Sequence, residues 1–379
     1  MVGAQELGYC PVTSRPKGAM PVTDYGIARP THGNHPSIID RRRFLFAASA
    51  SVLLPGAAAA QQPPAVDSPG PVAFFRIGTG GAGGTYFPIG RLLASAISSP
   101  PGARPCDKGG SCGVPGLIAV AQATQGSVDN IAQLAAKRIE AGLCQADIAH
   151  WAHAGVGLYQ VKGPMPRLRA IAALFREAVH VVVRRDSQIQ TIDDLKGKRV
   201  SLGEEASGTR VDAALILAAH GVQEKDVDAR FLRTGAAADG LRDGTLDAFF
   251  FIAGYPVTAI GDLAGRVRIR LLPVVGPPAD LLRSTSPFFI ETMIPNQTYQ
   301  DVTATPTVSV PAVWVTTDEV PEALVYGITK AMWHPAALKL YEAGHPEARN
   351  IRIENARTGV TIPFHAGALA YYAEAGFGR

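Results

Sequence analysis

The segment IGTGGAGGTY, residues 77–86, sets Gly78, Gly80 and Gly83 at the spacing of a dinucleotide-binding fingerprint, between a strand-like and a helix-like run. The chemistry of such a loop is anion binding, because glycines let backbone N–H groups approach and the helix start adds a positive end. A dinucleotide also needs an acid about twenty residues on, at the end of a second strand, to hold a ribose hydroxyl. That region reads SSPPGARPCDKGGSC, and Asp107 sits inside a cysteine loop instead. No Gly-Lys-Ser/Thr follows, which disfavours an NTPase phosphate loop still more. A second reading keeps the geometry and changes the anion to a carboxylate. It would be held by N–H groups at Gly80 and Gly81 with the hydroxyls of Thr79, Thr85 and Tyr86.

Two further small-residue loops precede helices. TQGSVDN offers Ser127 and Asn130, and GEEASGTR offers Ser207, Gly208 and Thr209. Each alone is ordinary helix capping. Three helix N-termini facing one cleft would hold a small acid without a lysine cluster. Glu204 and Glu205 either face that cleft, repelling an anion or holding an amino group, or face solvent and bear on nothing. Tyr255 reads as an aromatic wall of the site or as core, and Glu177 as a ligand contact or an ion-pair partner. His150 and His153 share a helical face but lack a carboxylate partner at ligand spacing, so no metal is assigned. Ser207 lacks the Gly-x-Ser-x-Gly elbow of a hydrolase nucleophile. No cofactor is assigned.

The elements that position these loops alternate strand and helix. VAFFRIG reads as a buried strand and FPIGRLLASAIS as a helix after the glycine turn. GLIAVAQAT is a strand, and Ser127 is expected to cap the helix after it. LCQADIA runs into a helix holding IAHWAHAG. LRAIAALFREAVHVVVRRD reads as two strand-like runs around Glu177. A strand at Arg199 to Leu202 leads through the third loop to a helix from Val211 to Gly221. TVSVPAVWVTT is a second long β segment, with helices in PEALVYGITKAMWH and HAGALAYYAEAG. Two α/β units result, with two β segments able to cross between them, and a cleft between domains is a favoured ligand site.

The 379 residues are 47% hydrophobic and 18% charged, a globular composition long enough for two domains. The net charge of +4 is concentrated in the first sixty residues, and the near-neutral remainder gives no sign of nucleic-acid binding. Asp40 to Phe46, DRRRFLF, precedes an apolar stretch and an alanine-rich end. This is the order of an export signal, with paired arginines that resemble the twin-arginine type. The apolar run is too short for a membrane anchor, so no direct membrane insertion is expected. In an oxidising compartment Cys106 and Cys112, flanking a loop with Gly109 and Gly110, suit a local disulfide. A metal site is the rival, without a second ligand pair nearby. Cys144 is left as a buried thiol.

The motifs IGTGGAGGTYFPIG, QGSVDN, CQADIAHWAHAG, GKRVSLGEEASGTRVDAALIL, LRDGTLDAFFFIAGYP, IPNQTY and IPFHAGALAYYAEAG together resemble the TAXI family of TRAP-transporter solute receptors, from about Phe74 to Gly376. The resemblance implies an α/β fold of the periplasmic-binding-protein-like class II type, two lobes with a two-strand hinge and an inter-lobe ligand cleft. Residues 1–60 would be an n-region with the signal, 61–71 a linker, 72–180 the first part of lobe I, 181–315 lobe II and 316–379 the second part of lobe I. The family's motifs fall on Gly78 to Tyr86, Gly126 to Asn130, and Gln145 to Asp147, where Ala146 replaces a serine. They fall also on the loop ending at Thr209, where Ala206 replaces a glycine. Such a receptor resides in the periplasm, catalyses nothing, binds a small carboxylate or an amino acid such as glutamate, and hands it to a membrane permease subunit. The competing reading is an exported nicotinamide-dependent oxidoreductase using the glycine loop.

Overall fold

The computed structural model describes residues 72–377. The export signal and its cleavage region lie outside the described residues. Lobe I opens with β1 (Ala73–Gly78), α1 (Tyr86–Ile97), a short parallel pair β2 (Ser98–Ser99) and β3 (Val114–Pro115), then β4 (Leu117–Gln122), α2 (Ser127–Ala135), β5 (Ala141–Gln145) and α3 (Ala146–Ala154). The strand β6 (Leu168–Arg184) leads into lobe II, with β7 (Arg199–Ser201), α4 (Gly208–Ala219), β8 (Asp228–Arg230), α5 (Thr234–Asp243), β9 (Ala248–Ala253), α6 (Thr258–Ala264), β10 (Ile269–Leu271), α7 (Pro277–Thr285) and β11 (Ile290–Ile294). The chain returns along β12 (Thr305–Thr317) and ends with α8 (Glu322–Met332), α9 (Pro335–Gly344) and α10 (Ala366–Glu374).

One sheet path runs β4-β1-β5-β12-β6-β9-β7-β8, with β10 on β6 and β11 on β12. In lobe I the order is second strand, first strand, third strand, then the antiparallel β12, then β6. Lobe II repeats it as β8, β7, β9, the antiparallel β6, then β12. Each lobe therefore borrows its antiparallel strand from the segment that crosses between lobes. This is the class II periplasmic-binding-protein-like arrangement, two α/β lobes with a two-strand hinge.

The segment around Glu177 is one continuous 17-residue strand where two runs were expected. Of its residues only Arg176 is exposed, and a strand covered on both faces reads as a nearly unbroken apolar run. The alanines at 170, 172, 173 and 178 have little β preference of their own. Packing against β12 on one side and β9 on the other overrides it.

Lobe I is built on Phe75, Ile77, Leu143, Trp314 and the inner faces of α1, α8 and α10. Lobe II has two cores, one on each face of its sheet, around Val181 and Phe250 and around Val182 and Phe249. Alternate residues of the same strands feed opposite layers. Among the described residues no helix is long and apolar enough to cross a membrane. Cys106 and Cys112 are joined as a disulfide, with His334 Nε2 3.8 Å from Cys106 Sγ, and Cys144 is a buried free thiol.

Leu143 lies on β5 with no exposed surface. Leu143→Ala is expected to destabilise the protein by about 2–5 kcal/mol through lost burial and the cavity left behind, read as a fall in urea midpoint at unchanged slope.

Candidate functional site

Three loops converge on a cleft between the lobes. The first ends at Thr85, the N-cap residue of α1, the second at Gly126 before α2, and the third at Ser207 before α4. Gly126 has φ of +111°, a conformation that a side chain would strain, so only glycine starts α2 easily here. Ser127, expected as the cap of α2, is instead its first helical residue. Its Oγ accepts from the backbone N–H of Gln145 at 3.1 Å, tying α2 to the end of β5. Ser207 does cap α4, accepting from Arg210 N at 3.1 Å, and that helix starts at Gly208 rather than Val211.

The lobes touch across the cleft. Asp129 N donates to Ala206 O at 2.9 Å, Ala206 N donates to the side-chain carbonyl of Gln125 at 3.2 Å, and Thr85 Oγ1 donates to Gly254 O at 2.6 Å. At Gly208 a Cβ would lie 1.6 Å from Gln145 Oε1, so the absent side chain is what lets Gln145 of lobe I reach the start of α4 in lobe II.

Of the residues singled out in the sequence, Gly80, Gly81, Thr85, Tyr86, Ser127, Gln145, Ser207, Gly208 and Thr209 line this one cleft. The other four do not. Thr79 is buried behind the loop, its hydroxyl donating to Gln122 O at 2.6 Å. Asn130 is buried and its amide bridges Thr79 O and Leu143 O at 2.7 and 2.8 Å. Gly78 is a glycine because a Cβ would lie 2.5 Å from Asn130 Oδ1. Asp147 is buried between the lobes, and Tyr255 faces a separate cavity beside Glu347.

Sequence reasoning left open or missed several lining groups. Glu177, buried in the floor, accepts the Tyr86 hydroxyl. Burial pushes its carboxyl well above the usual range, with only partial relief from that hydrogen bond. Glu204 faces the cleft, 3.4 Å from Arg233, whereas Glu205 faces solvent. Its carboxyl is also raised, mainly by burial and against the pull of Arg233. The far wall is the end of β9, Phe250 to Ala253, which the run AFFFIA announces as a strand but not as a cleft wall.

Among the described residues no lysine, arginine or histidine lines the cleft, so donors to an anion there are helix N-termini, backbone N–H groups and side-chain amides or hydroxyls. The Ser207 and Thr209 hydroxyls already accept from Arg210 N and Ile252 N, the second at 3.2 Å. The Gln145 amide, by contrast, is buried with neither its N nor its O bonded. An unsatisfied buried amide is costly, and a ligand with both donors and acceptors would relieve that cost.

Behind the cleft Asp147 on α3 and Asp212 on α4 meet across the lobe interface. Both are fully buried and face each other, with the backbone N–H groups of Asp147 and Ile148 beside the Asp147 carboxyl and no backbone donor beside that of Asp212. Burial raises both above the ordinary aspartate range, and the neighbouring Asp147 charge raises Asp212 further. Glu177 and the buried Cys144 add no compensating positive charge, and His150 opposes the shift at Asp147 only weakly.

The family model described as NMT1-like matches residues 77–376. Among solved structures the fold is similar to PhnD1 from Prochlorococcus marinus in complex with methylphosphonate, at 11% identity over 80% of this chain and 98% of that one, TM-score 0.48. It is similar also to the aliphatic sulphonate binding protein SsuA from Escherichia coli, at 17% identity over 79% and 82%, TM-score 0.42. The alkanesulfonate-binding SsuA from Xanthomonas axonopodis pv. citri, bound to MOPS, matches at 17% identity over 81% and 92%, TM-score 0.42. At TM-scores below 0.5 these likenesses decide nothing about solute, and the two-lobe arrangement stands on the strand order above.

If the lobes part and meet again, the raised carboxyl pKa values of the buried pair make their meeting take up a proton. The closed form is thus favoured at low pH and loses that advantage as pH rises through the closed-state pKa of the pair. The distance between spin labels on the two lobes should lengthen with rising pH in the wild type. In Asp212→Asn, whose amide can donate to Asp147, it should stay short throughout. A wild-type distance that is independent of pH contradicts this account.

Proposed function

The chain belongs to the NMT1-like family, and we propose that it is a solute-binding receptor that closes its two lobes on a small acid and delivers it to a transporter in the membrane. The observation behind this reading is the convergence of three helix N-termini and the unpartnered Gln145 amide on one inter-lobe cleft. Backbone N–H groups at helix starts suit a carboxylate. Among the described residues no cation lines the cleft while Glu177 and Glu204 do, which suits a second group that donates hydrogen bonds. A small carboxylate fits, and an amino acid such as glutamate fits best, with its carboxylate at the α1 and α4 starts and its ammonium near Glu204.

The motif order supports the finer reading that the receptor is of the TAXI type and serves a TRAP permease subunit. The DRRRFLF segment supports export to the periplasm by the twin-arginine route. In this reading the protein is a carrier and not an enzyme. The nicotinamide oxidoreductase finds no support in the geometry: β4, the second strand, ends at Gln122 where a ribose-binding acid would stand, and Gly78 makes room for Asn130.

A thermal-shift screen of amino acids, dicarboxylates and keto acids should find a compound that raises the unfolding temperature, because a ligand of the folded state alone stabilises it. For that compound Gln145→Ala should weaken affinity about tenfold or more while the solute-free unfolding temperature stays level or rises. Replacing Ser207 and Thr209 together should also weaken binding, with about 1 kcal/mol of stability lost from the α4 cap. Affinity unchanged in both variants would remove the cleft as the solute site.

A further inference from the structure

The ladder that joins the lobes has two faces. Arg176 pairs with Pro311 and Ala178 with Ser309, so these side chains lie on the side of the ribbon opposite to Glu177 and the cleft. On that back face is a cavity of about 290 Å³, ample for a small organic molecule. Lobe II contributes Tyr255 and Thr292 to it, and lobe I contributes Glu347 and Asn350.

We propose that this back cavity is a second small-molecule site, taking a small hydroxylated carboxylate with Arg176 as its carboxylate receptor. Arg176 makes no ion pair among the described residues, and its guanidinium is perturbed only by partial loss of water. A planar guanidinium without a protein partner offers a bidentate seat for a carboxylate. The hydroxyl of Ser309 is fully buried with no hydrogen-bond partner, an open place for a ligand oxygen. Glu347, held by Asn350 Nδ2 at 2.9 Å, is pushed up to about 7 by burial, so it can donate or accept toward a ligand hydroxyl near neutral pH. The Tyr255 hydroxyl donates a hydrogen bond to Met293 O at 3.3 Å, which leaves its oxygen free to accept.

The site stands independently of what fills the cleft. If the cleft closes on solute as proposed above, the two are coupled. The back cavity is present with the lobes in contact, and a hinge at the ribbon that parted them at the front would bring the same lobes together behind it. An occupant would then hold the closed form, and solute and occupant would strengthen each other's binding by the same factor.

Glycerate, tartrate and gluconate are the probes, titrated calorimetrically against the wild type, Arg176→Gln, Ser309→Ala and the cleft variant Gln145→Ala. At least one should bind the wild type and Gln145→Ala alike, and weaken about tenfold or more in Arg176→Gln, with a smaller loss in Ser309→Ala. Arg176 is exposed, so its variant should unfold at the wild-type temperature. Binding lost in Gln145→Ala but kept in Arg176→Gln would assign these acids to the cleft and overturn the second site. Binding of none of the three to the wild type would overturn it too, without touching the cleft reading, which rests on amino-acid binding sensitive to Gln145.

Discussion

Between Leu168 and Ala178 the strand β6 is laced antiparallel to β12, from Thr317 opposite Leu168 to Ser309 opposite Ala178, with shifts of register near Ala312 and Trp314. Both strands are almost wholly buried, and each continues into a lobe where it serves as the antiparallel strand of a parallel sheet. Backbone groups in so buried a ladder must be paired, so its register is strongly fixed. That register decides which residues meet which side. Glu177 turns to the cleft under the Tyr86 hydroxyl, and its neighbour Arg176 turns to the back. A slip of one residue would exchange them.

The cleft that this ribbon positions works by arranging neutral dipoles. Its polar groups are helix starts, an amide and hydroxyls, and its acids are held toward their neutral form by burial. Such a lining costs less to desolvate than a cluster of lysines, so the lobes can meet over it. The meeting is nonetheless close. Gln145 passes over Gly208 where no other residue would leave room, and two buried aspartates come together behind it. The raised carboxyls of that pair stand at the contact between the lobes, outside the cleft lining.

Several features were legible in the chain. The strand–glycine loop–helix unit, the long β segments that cross, the capping Ser207 and the paired cysteines follow from local preferences and periodicity, which act over a few residues. The sequence also suggested three loops sharing one ligand, and nine of the thirteen residues chosen line one cleft. Other details were beyond it. The alanine-rich part of β6 gives no local reason to stay extended, and α9, which follows α8 after a short turn, lies beyond the helix read in PEALVYGITKAMWH. Thr79 and Asn130 sit in the right motifs yet spend their hydrogen bonds inside the fold, on Gln122, Thr79 and Leu143.

What the sequence by itself determined is the composition of each loop: glycines and hydroxyls before helices, with an anion as the natural guest. Only the tertiary structure decided which of those groups are free to meet a guest, because a polar side chain binds whichever partner the fold brings nearest. The Gln145 amide is left unbonded by a contact 63 positions away at Gly208, and Tyr255 is carried to the back of the ribbon by the pairing of β9 with β6. Asp147 stands out in the sequence only as part of a motif expected to touch ligand, and nothing local marks Asp212 on α4. It is the approach of two lobes, 65 residues apart in the chain, that makes them a pair.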